Sequence, residues 1–451
     1  MSKTIAVLGA GPAGLEAADA AASRGADVKL IDQDQPGGRA GWSSLLPSKV
    51  LLHACKGRDP KRRASPSELG KITRRIHTIA ERYNRERARE VERQGVELVE
   101  GYARFLAPQT FEVTPTAKDA GQETFTVDAD AVVVATGSQP SFPEGLEPDG
   151  GRVIAPRHVK KLEFLPKSML VVGGGVSGVE FAYAFNALGV DVTWIVDERG
   201  VLPRFDKALS RAMRVELARQ GICLLRGRAV ETLVVEDGRV SAVLVDGEEH
   251  WARRAFVAVG RQPDMEGLAL DNAGLHSENG ALAVDDHART RRESIFAAGD
   301  VTGGPMTANR AMTQGRVAGL TAATSYAPRL VPESWVKAAY THPQVAQVGT
   351  TPDLADERRD LGVASLDLSR ELQPLIESDQ GLSCGELHLV HQRGDQRRIV
   401  GATAFARSAA ELLSPVALAI REQMSVEQLT THFAAHPTLG EAAFRTIRQV
   451  A

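Results

Sequence analysis

One pattern, present twice, constrains this chain more than anything else in it. A short apolar run, Thr4 to Leu8, leads into Gly9-x-Gly11-x-x-Gly14; a helical stretch to Arg24 follows, then Gly25, a second apolar run from Asp27 to Ile31, and Asp32. From Met169 the same order returns: apolar strand, Gly173-x-Gly175-x-x-Gly178, helix through Leu188, Gly189, strand Asp191 to Val196, and Asp197. Each glycine has its own physical task. The first makes the tight turn out of the strand, the second lets a pyrophosphate approach the backbone, and the third lets the helix pack on the strand. The helix N-terminus offers unpaired N–H groups to the phosphate charge. The closing acid, 18 residues beyond Gly14 in the first copy, is placed to hydrogen-bond ribose hydroxyls. The duplication predicts an α/β fold with two Rossmann-like domains and two dinucleotides, most simply a tightly held FAD and an exchanging nicotinamide.

At 451 residues the chain is too long for one hydrophobic core, and about three domains are expected. A net charge of -3 and a pI near 6.4 give no global field that favours nucleic acid. The basic run from Lys56 to Arg93 alternates with Glu and reads as a solvated helix, with Ile72, Ile76, Ile79 and Tyr83 as its buried stripe. Three cysteines, Cys55, Cys223 and Cys384, stand apart with neither a C-x-x-C pair nor metal-ligand spacing, so no metal site is expected and reduced, cytoplasmic thiols are. Cys55 lies six residues past Lys49, but an unpaired Cys is ordinarily a small buried hydrophobe. Glycines and acids break the apolar stretch near the N-terminus and the run Met169 to Val190, so neither a signal peptide nor a membrane span is expected.

Three further stretches extend the nucleotide-binding pattern. Val132-Val-Val-Ala-Thr136-Gly137 is an apolar strand ending in a turn, and Ala255 to Asp264, containing Gly260 and Arg261, closes the second unit in similar fashion. Thr290-R-R-E-S-I-F-A-A-G-Asp300 is the third. Directly after the first unit comes Gly37-G-R-A-G-W-S-S-L-L-P-S-Lys49, and near the end His436-P-T-L-G-Glu441.

Taken together, these stretches resemble the flavoprotein pyridine nucleotide-disulfide oxidoreductases, the family of lipoamide dehydrogenase and glutathione reductase, in colinear order over nearly the whole chain. The resemblance implies an FAD-binding domain in two parts (residues 1–150 and 265–334), an NAD-binding domain inserted at 151–264, and an α+β dimerisation domain at 335–451. From Trp335 onward short strands and two helices are expected. In the family Asp300 would bind the flavin's ribityl chain. Gly9, Gly11, Gly14, Asp32, Gly37, Gly38, Thr136, Gly137, Gly173, Gly175, Gly178, Asp197, Gly260, Arg261 and Asp300 form the expected cofactor-binding set.

The departure from the family falls on its chemistry. There the first segment reads G-G-x-C-x-x-x-x-C-x-P-S-K, and the two cysteines form the redox disulfide; here those positions are Ala40 and Leu45. The other expected catalytic groups remain: Lys49 and Glu180, which pair beside the flavin in the family, and His436 with Glu441, an acid/base pair contributed by the partner subunit. The H-P-T segment could equally persist as packing at a subunit contact. Asp197 and Glu198 stand where NADP-specific relatives carry basic residues, which favours NADH over NADPH, with Arg199 pulling the other way; Val176 stands where some relatives have a gating Tyr. The leading expectation is a homodimeric FAD enzyme that oxidises NADH and hands electrons directly to a small non-disulfide acceptor, quinone-like first. Arg39, Ala40, Trp42, Ser43, Ser44 and Leu45 would form the acceptor wall, Trp42 either stacking on the acceptor or merely filling space. Soluble transhydrogenase, a relative that lacks one of the two cysteines, and a non-catalytic flavoprotein serving as sensor or complex subunit are the alternatives.

Overall fold

The computed structural model describes residues 2–116, 123–324, 326, 328–377, 385–394 and 397–451. Cys384 lies outside the described residues. The chain divides into two compact units, one built from residues 1–47, 73–141 and 260–330, the other from 48–72, 142–259 and 331–451.

In the first unit the apolar runs become buried parallel strands. Ile295–Ala297, Ala131–Val134, Thr4–Leu8, Asp27–Asp32 and Glu97–Ala107 lie side by side and parallel, and Thr110–Pro115 and Phe125–Asp128 continue the sheet antiparallel. Continuous rather than alternating hydrophobicity in Thr4–Leu8 and Ala131–Val134 fits strands covered on both faces. Helix Pro12–Ala22 is crossed closely by helix Ala308–Ala323, because Gly315 and Gly319 have no side chain; a Cβ at either would strike the carbonyl oxygen of Ala13 or Ala17. A core around Phe105 and Phe111, edge to face at 6.4 Å, fills the opposite side.

The second unit holds two sheets of five strands. One is wholly parallel, in the order Cys223–Arg226, Asp191–Val196, Ser168–Val172, Arg254–Val257, Val153–Ile154. Helix Val176–Ala187 lays Phe181 and Phe185 against Phe256, with ring centroids 4.4 and 5.4 Å away. The other sheet is antiparallel, in the order Lys337–Ala339, Gln344–Gly349, Ile399–Ala406, Glu386–Gln392, Leu361–Asp367, and its core is closed by the C-terminal helices. Where two helices are expected after Trp335, the described residues form six, of four to eight residues each. Helices of one or two turns are too short for a 3.6-residue period to register.

The basic run also folds differently in detail. Its helix is Pro66–Arg93, and the buried stripe is Leu69, Ile72, Ile76, Ala80 and Asn84; Tyr83 is 52 % exposed. Spacing by four after Ile72 carries the stripe onto Ala80 and the polar Asn84, which hydrophobicity alone passes over.

Candidate functional site

The two glycine turns are built alike. Gly9 and Gly173 sit at φ +105° and +118°, and a Cβ on them would press on the carbonyls of Ala135 and Ala258. The N–H of Gly9 donates to Ile31 O at 2.7 Å, and that of Gly173 to Ile195 O at 3.0 Å. A Cβ at Gly14 or Gly178 would run into the carbonyl oxygen of Gly9 or Gly173. Gly11 and Gly175, by contrast, open their helices at the same φ of -72°, with no side-chain cap and nothing within 4 Å of a Cβ position. Each turn thus packs tightly at its first and third glycines and leaves a notch over a helix N-terminus at the second. That is the form a dinucleotide pyrophosphate requires, so the residues fit a dinucleotide at each of the two turns.

Asp32, at the end of its strand, accepts from the N–H groups of Ala10 (2.5 Å) and Asp34 (2.9 Å). Burial raises its carboxyl above the ordinary carboxylate range against the lowering effect of those N–H groups. Asp197, its counterpart, is held by Arg199, whose Nε and Nη2 donate to Oδ2 at 2.8 and 2.6 Å. Glu198 is exposed.

The Gly37–Leu45 segment docks on the first turn. Gly37 N donates to Ala10 O at 2.8 Å, and a Cβ at Gly38 would come within 2.8 Å of Gly11 Cα. The turn Gly38–Trp42 is a short helix that is polar-braced throughout. The indole N–H of Trp42 donates to Pro36 O at 3.0 Å, and the hydroxyls of Ser43 and Ser44 donate to Arg39 O at 3.2 and 3.0 Å. Arg39 Nη2 meets Asp264 Oδ2 at 2.7 Å and its Nη1 donates to Ser138 O at 3.2 Å. Ser138 is a hub: Arg261 donates to its hydroxyl (2.8 Å) and its carbonyl (2.7 Å), and the hydroxyl donates to Asp300 at 2.6 Å. Burial lowers the pKa of Arg261, with Asp300 opposing and Arg39 reinforcing that shift. Thr136 Oγ1 donates to Asp264 O at 2.6 Å, and Gly137, at φ +77°, accepts from Asp264 N at 3.0 Å. Gly260 precedes the strand pair that sets Arg261–Pro263 against Ser138–Pro140. Four of the expected cofactor residues, Thr136, Gly137, Arg261 and Asp300, are thus joined by hydrogen bonds to Ser138 or Asp264.

Sequence reading missed Ser138, Asp264 and Asn84. The first two follow expected residues directly or closely, and their polarity beside an apolar strand end was the available signal. Asn84 had none. It is 2 % exposed, its carboxamide has no hydrogen-bond partner among the described residues, and it fills the space that side chains on Gly37 and Gly41 would occupy. Ala40 and Trp42 are half-buried, and Leu45 is 39 % exposed.

In the second unit Lys49 Nζ lies 2.7 Å from both carboxylate oxygens of Glu180. Glu180 is 3 % exposed and also accepts from Tyr340 N at 2.9 Å, and the Lys49 ammonium stands 4.6 Å from the Tyr340 ring centroid. Cys55, one helical turn and a half past Lys49, is buried with its thiol directed at Ala184 O, 3.6 Å away. Burial pushes the thiol up to about 12, which keeps it protonated and unreactive at neutral pH. His436 Nδ1 lies 2.8 and 3.0 Å from the oxygens of Glu441, the first residue of helix Glu441–Arg448. The imidazole is 67 % exposed, and its hydrogen bond holds Glu441 below the usual carboxylate range. Val176 opens helix Val176–Ala187 beside Gly175. Among the described residues there is no cluster that could hold a metal ion and no helix long and apolar enough to cross a membrane.

Residues 3–315 match the family described as pyridine nucleotide-disulphide oxidoreductase, and residues 336–446 match its dimerisation domain, which supports a homodimer. Dihydrolipoyl dehydrogenase 2 of Haloarcula marismortui is 31% identical over 453 residues, covering 97% of this chain and 94% of the relative. NAD(P)H dehydrogenase (quinone) of Mycobacterium tuberculosis is 28% identical, covering 100% of this chain and 94% of the relative. The crystal structure of LpdA from Mycobacterium tuberculosis superposes with a TM-score of 0.92 at 27% identity, each chain fully covered. Two nucleotide-type turns, the charge pairs that follow them and these matches lead to one conclusion: the chain belongs to the pyridine nucleotide-disulphide oxidoreductase family of FAD- and NAD(P)-dependent oxidoreductases.

Proposed function

We propose that this chain passes electrons from NADH through FAD directly to a small non-disulfide acceptor, quinone-like in kind, and has no dithiol step. One observation carries the reading: Ala40 and Leu45 have no redox chemistry, yet the Lys49–Glu180 and His436–Glu441 pairs that accompany that chemistry in the family are intact. Cys55, with its buried, protonated thiol, does not replace the missing pair. The quinone named in the Mycobacterium tuberculosis relative supports the acceptor class.

In this reading residues 1–150 and 265–334 hold FAD, 151–264 hold the nicotinamide dinucleotide, and 335–451 form the subunit contact. Bound FAD supplies hydride exchange between the nicotinamide and the acceptor. Lys49, oriented by Glu180, has one ammonium N–H beyond the two that Glu180 takes, and that N–H is suited to donating to an electron-rich neighbour. Arg39 is already neutralised by Asp264, so a wall of Arg39, Ala40, Trp42 and Leu45 suits an uncharged planar acceptor better than an anion. The imidazole of His436, fixed by Glu441, is suited to giving the acceptor a proton. NADH is preferred because Asp197 occupies Arg199, and a 2′-phosphate would have to compete with that carboxylate for the guanidinium.

The test is a steady-state screen of purified holoenzyme with NADH or NADPH against benzoquinones, naphthoquinones, ferricyanide, lipoamide and oxidised glutathione. Turnover of quinones with NADH and none of the disulfides is expected. Lipoamide turnover would overturn the reading; thio-NAD reduction without quinone turnover would favour transhydrogenase.

A further inference from the structure

We propose that Arg39 is a positioning residue: with Asp264 it forms a clamp that fastens the Gly38–Trp42 turn to the strand end carrying Ser138, and this clamp holds FAD in place. The proposal rests on FAD binding and is independent of which acceptor is used.

The geometry is specific to the fork of an arginine. One arm reaches the Asp264 carboxylate at 2.7 Å and the other the Ser138 carbonyl at 3.2 Å. Both anchors are themselves fixed. The backbone of Asp264 is tied to Thr136 and Gly137, and Ser138 is held by two bonds from Arg261 while its hydroxyl orients Asp300. A single guanidinium therefore connects the turn lying on Gly11 with the acid expected at the ribityl chain, in one hydrogen-bonded path through Ser138. The turn also closes on Arg39 from inside, since Ser43 and Ser44 both donate to the Arg39 carbonyl. From the other side the buried Asn84 fills the hollows at Gly37 and Gly41. A segment whose positions 40 and 45 cannot be cross-linked is thus held by polar contacts, and Arg39 carries these to Asp264 and Ser138 with its two arms. Lysine would keep the charge but not the second contact.

The test measures FAD release from the holoenzyme, followed by the rise of free-flavin fluorescence after dilution, together with the fine structure of the bound flavin's visible band and the acceptor KM and kcat. Arg39→Met and Asp264→Asn should each speed release on the order of ten-fold, as expected for loss of a charge-assisted contact. The double variant should be no worse than either single one, because both remove the same interaction. The exchanged pair, Arg39→Asp with Asp264→Arg, should recover part of the retention, and Arg39→Lys should fall between wild type and Arg39→Met. Additive effects, or release at the wild-type rate in Arg39→Met, would overturn the clamp. So would a rise in acceptor KM in Arg39→Met with FAD release at the wild-type rate, since Arg39 would then act on the acceptor alone. If Arg39→Met does not fold, Arg39→Lys and Asp264→Asn decide: wild-type retention in both contradicts the proposal, and faster release in both supports it.

Discussion

Glu180 lies in a setting where a carboxylate survives only if it is fully answered. At 3 % exposure it accepts two bonds from Lys49 and one from Tyr340 N, so each oxygen has a partner. Removing Lys49 leaves that charge buried with no counter-ion and one backbone N–H, that of Tyr340. Lys49→Met should cost about 2–3 kcal/mol, below the range for fully buried pairs because the Lys49 side chain is 31% exposed. Thermal or denaturant unfolding of the holoenzyme checks the figure, and an unchanged midpoint would show the pair to be incidental. Cys55 gives a prediction with a sign. Its thiol has an ordinary value of 9.0 and is pushed up to about 12 by burial. Between those values an unfolded chain has lost the proton while the folded one keeps it, so the Cys55 contribution to stability is full below pH 9 and declines as pH rises toward 12. Cys55→Ala should flatten that alkaline decline. At pH 8 an alkylating reagent should label the exposed Cys223 in the native protein and leave Cys55 untouched until unfolding.

At the scale of elements, the nucleotide-binding turns were legible because everything that defines them is local. Strand, three glycines, helix and acid fall within about thirty residues, and each glycine answers to a neighbour only a few positions away or on the adjoining strand. The bracing of the Gly37–Leu45 segment was not legible. Arg39 meets residues 99 and 225 positions further on, and nothing around Arg39 distinguishes a clamp from an acceptor-facing cation. Asn84 was hidden for a different reason: it ends a buried stripe whose other members are apolar, so a reading by hydrophobicity chose Tyr83 instead. Its contact with Gly41 makes a prediction. Gly41→Ala puts a methyl group against the Asn84 carboxamide, and the turn must shift to admit it. The change should speed FAD release and lower stability by about 1–3 kcal/mol, the range for overpacking; Gly41→Ala with Asn84→Ala should recover part of the loss. Retention at the wild-type level in the single variant would mean that the turn yields freely.

For the whole molecule, the order of motifs along the chain was enough to identify the family, and the paired acids and bases of its motifs are present although positions 40 and 45 carry no sulfur. What the sequence left open at His436 is the choice between chemistry and packing. In the described chain the imidazole is 67% exposed and fixed by Glu441, a form suited to acting on something outside its own subunit. His436→Ala should slow reoxidation by the acceptor on the order of 10²-fold while sparing reduction by NADH and leaving the dimer intact. Stopped-flow measurement of the two half-reactions, with sedimentation to report the dimer, separates these effects; loss of the dimer without a specific reoxidation defect would assign the segment to packing. The most direct measurement on the central claim is an anaerobic titration of the holoenzyme with NADH, followed through the visible spectrum. With no dithiol to fill, one equivalent of NADH per FAD should bleach the flavin completely, and further NADH should transfer no more electrons. Uptake of a second equivalent, with a long-wavelength band from a thiolate against the flavin, would contradict the account and return this chain to disulfide chemistry.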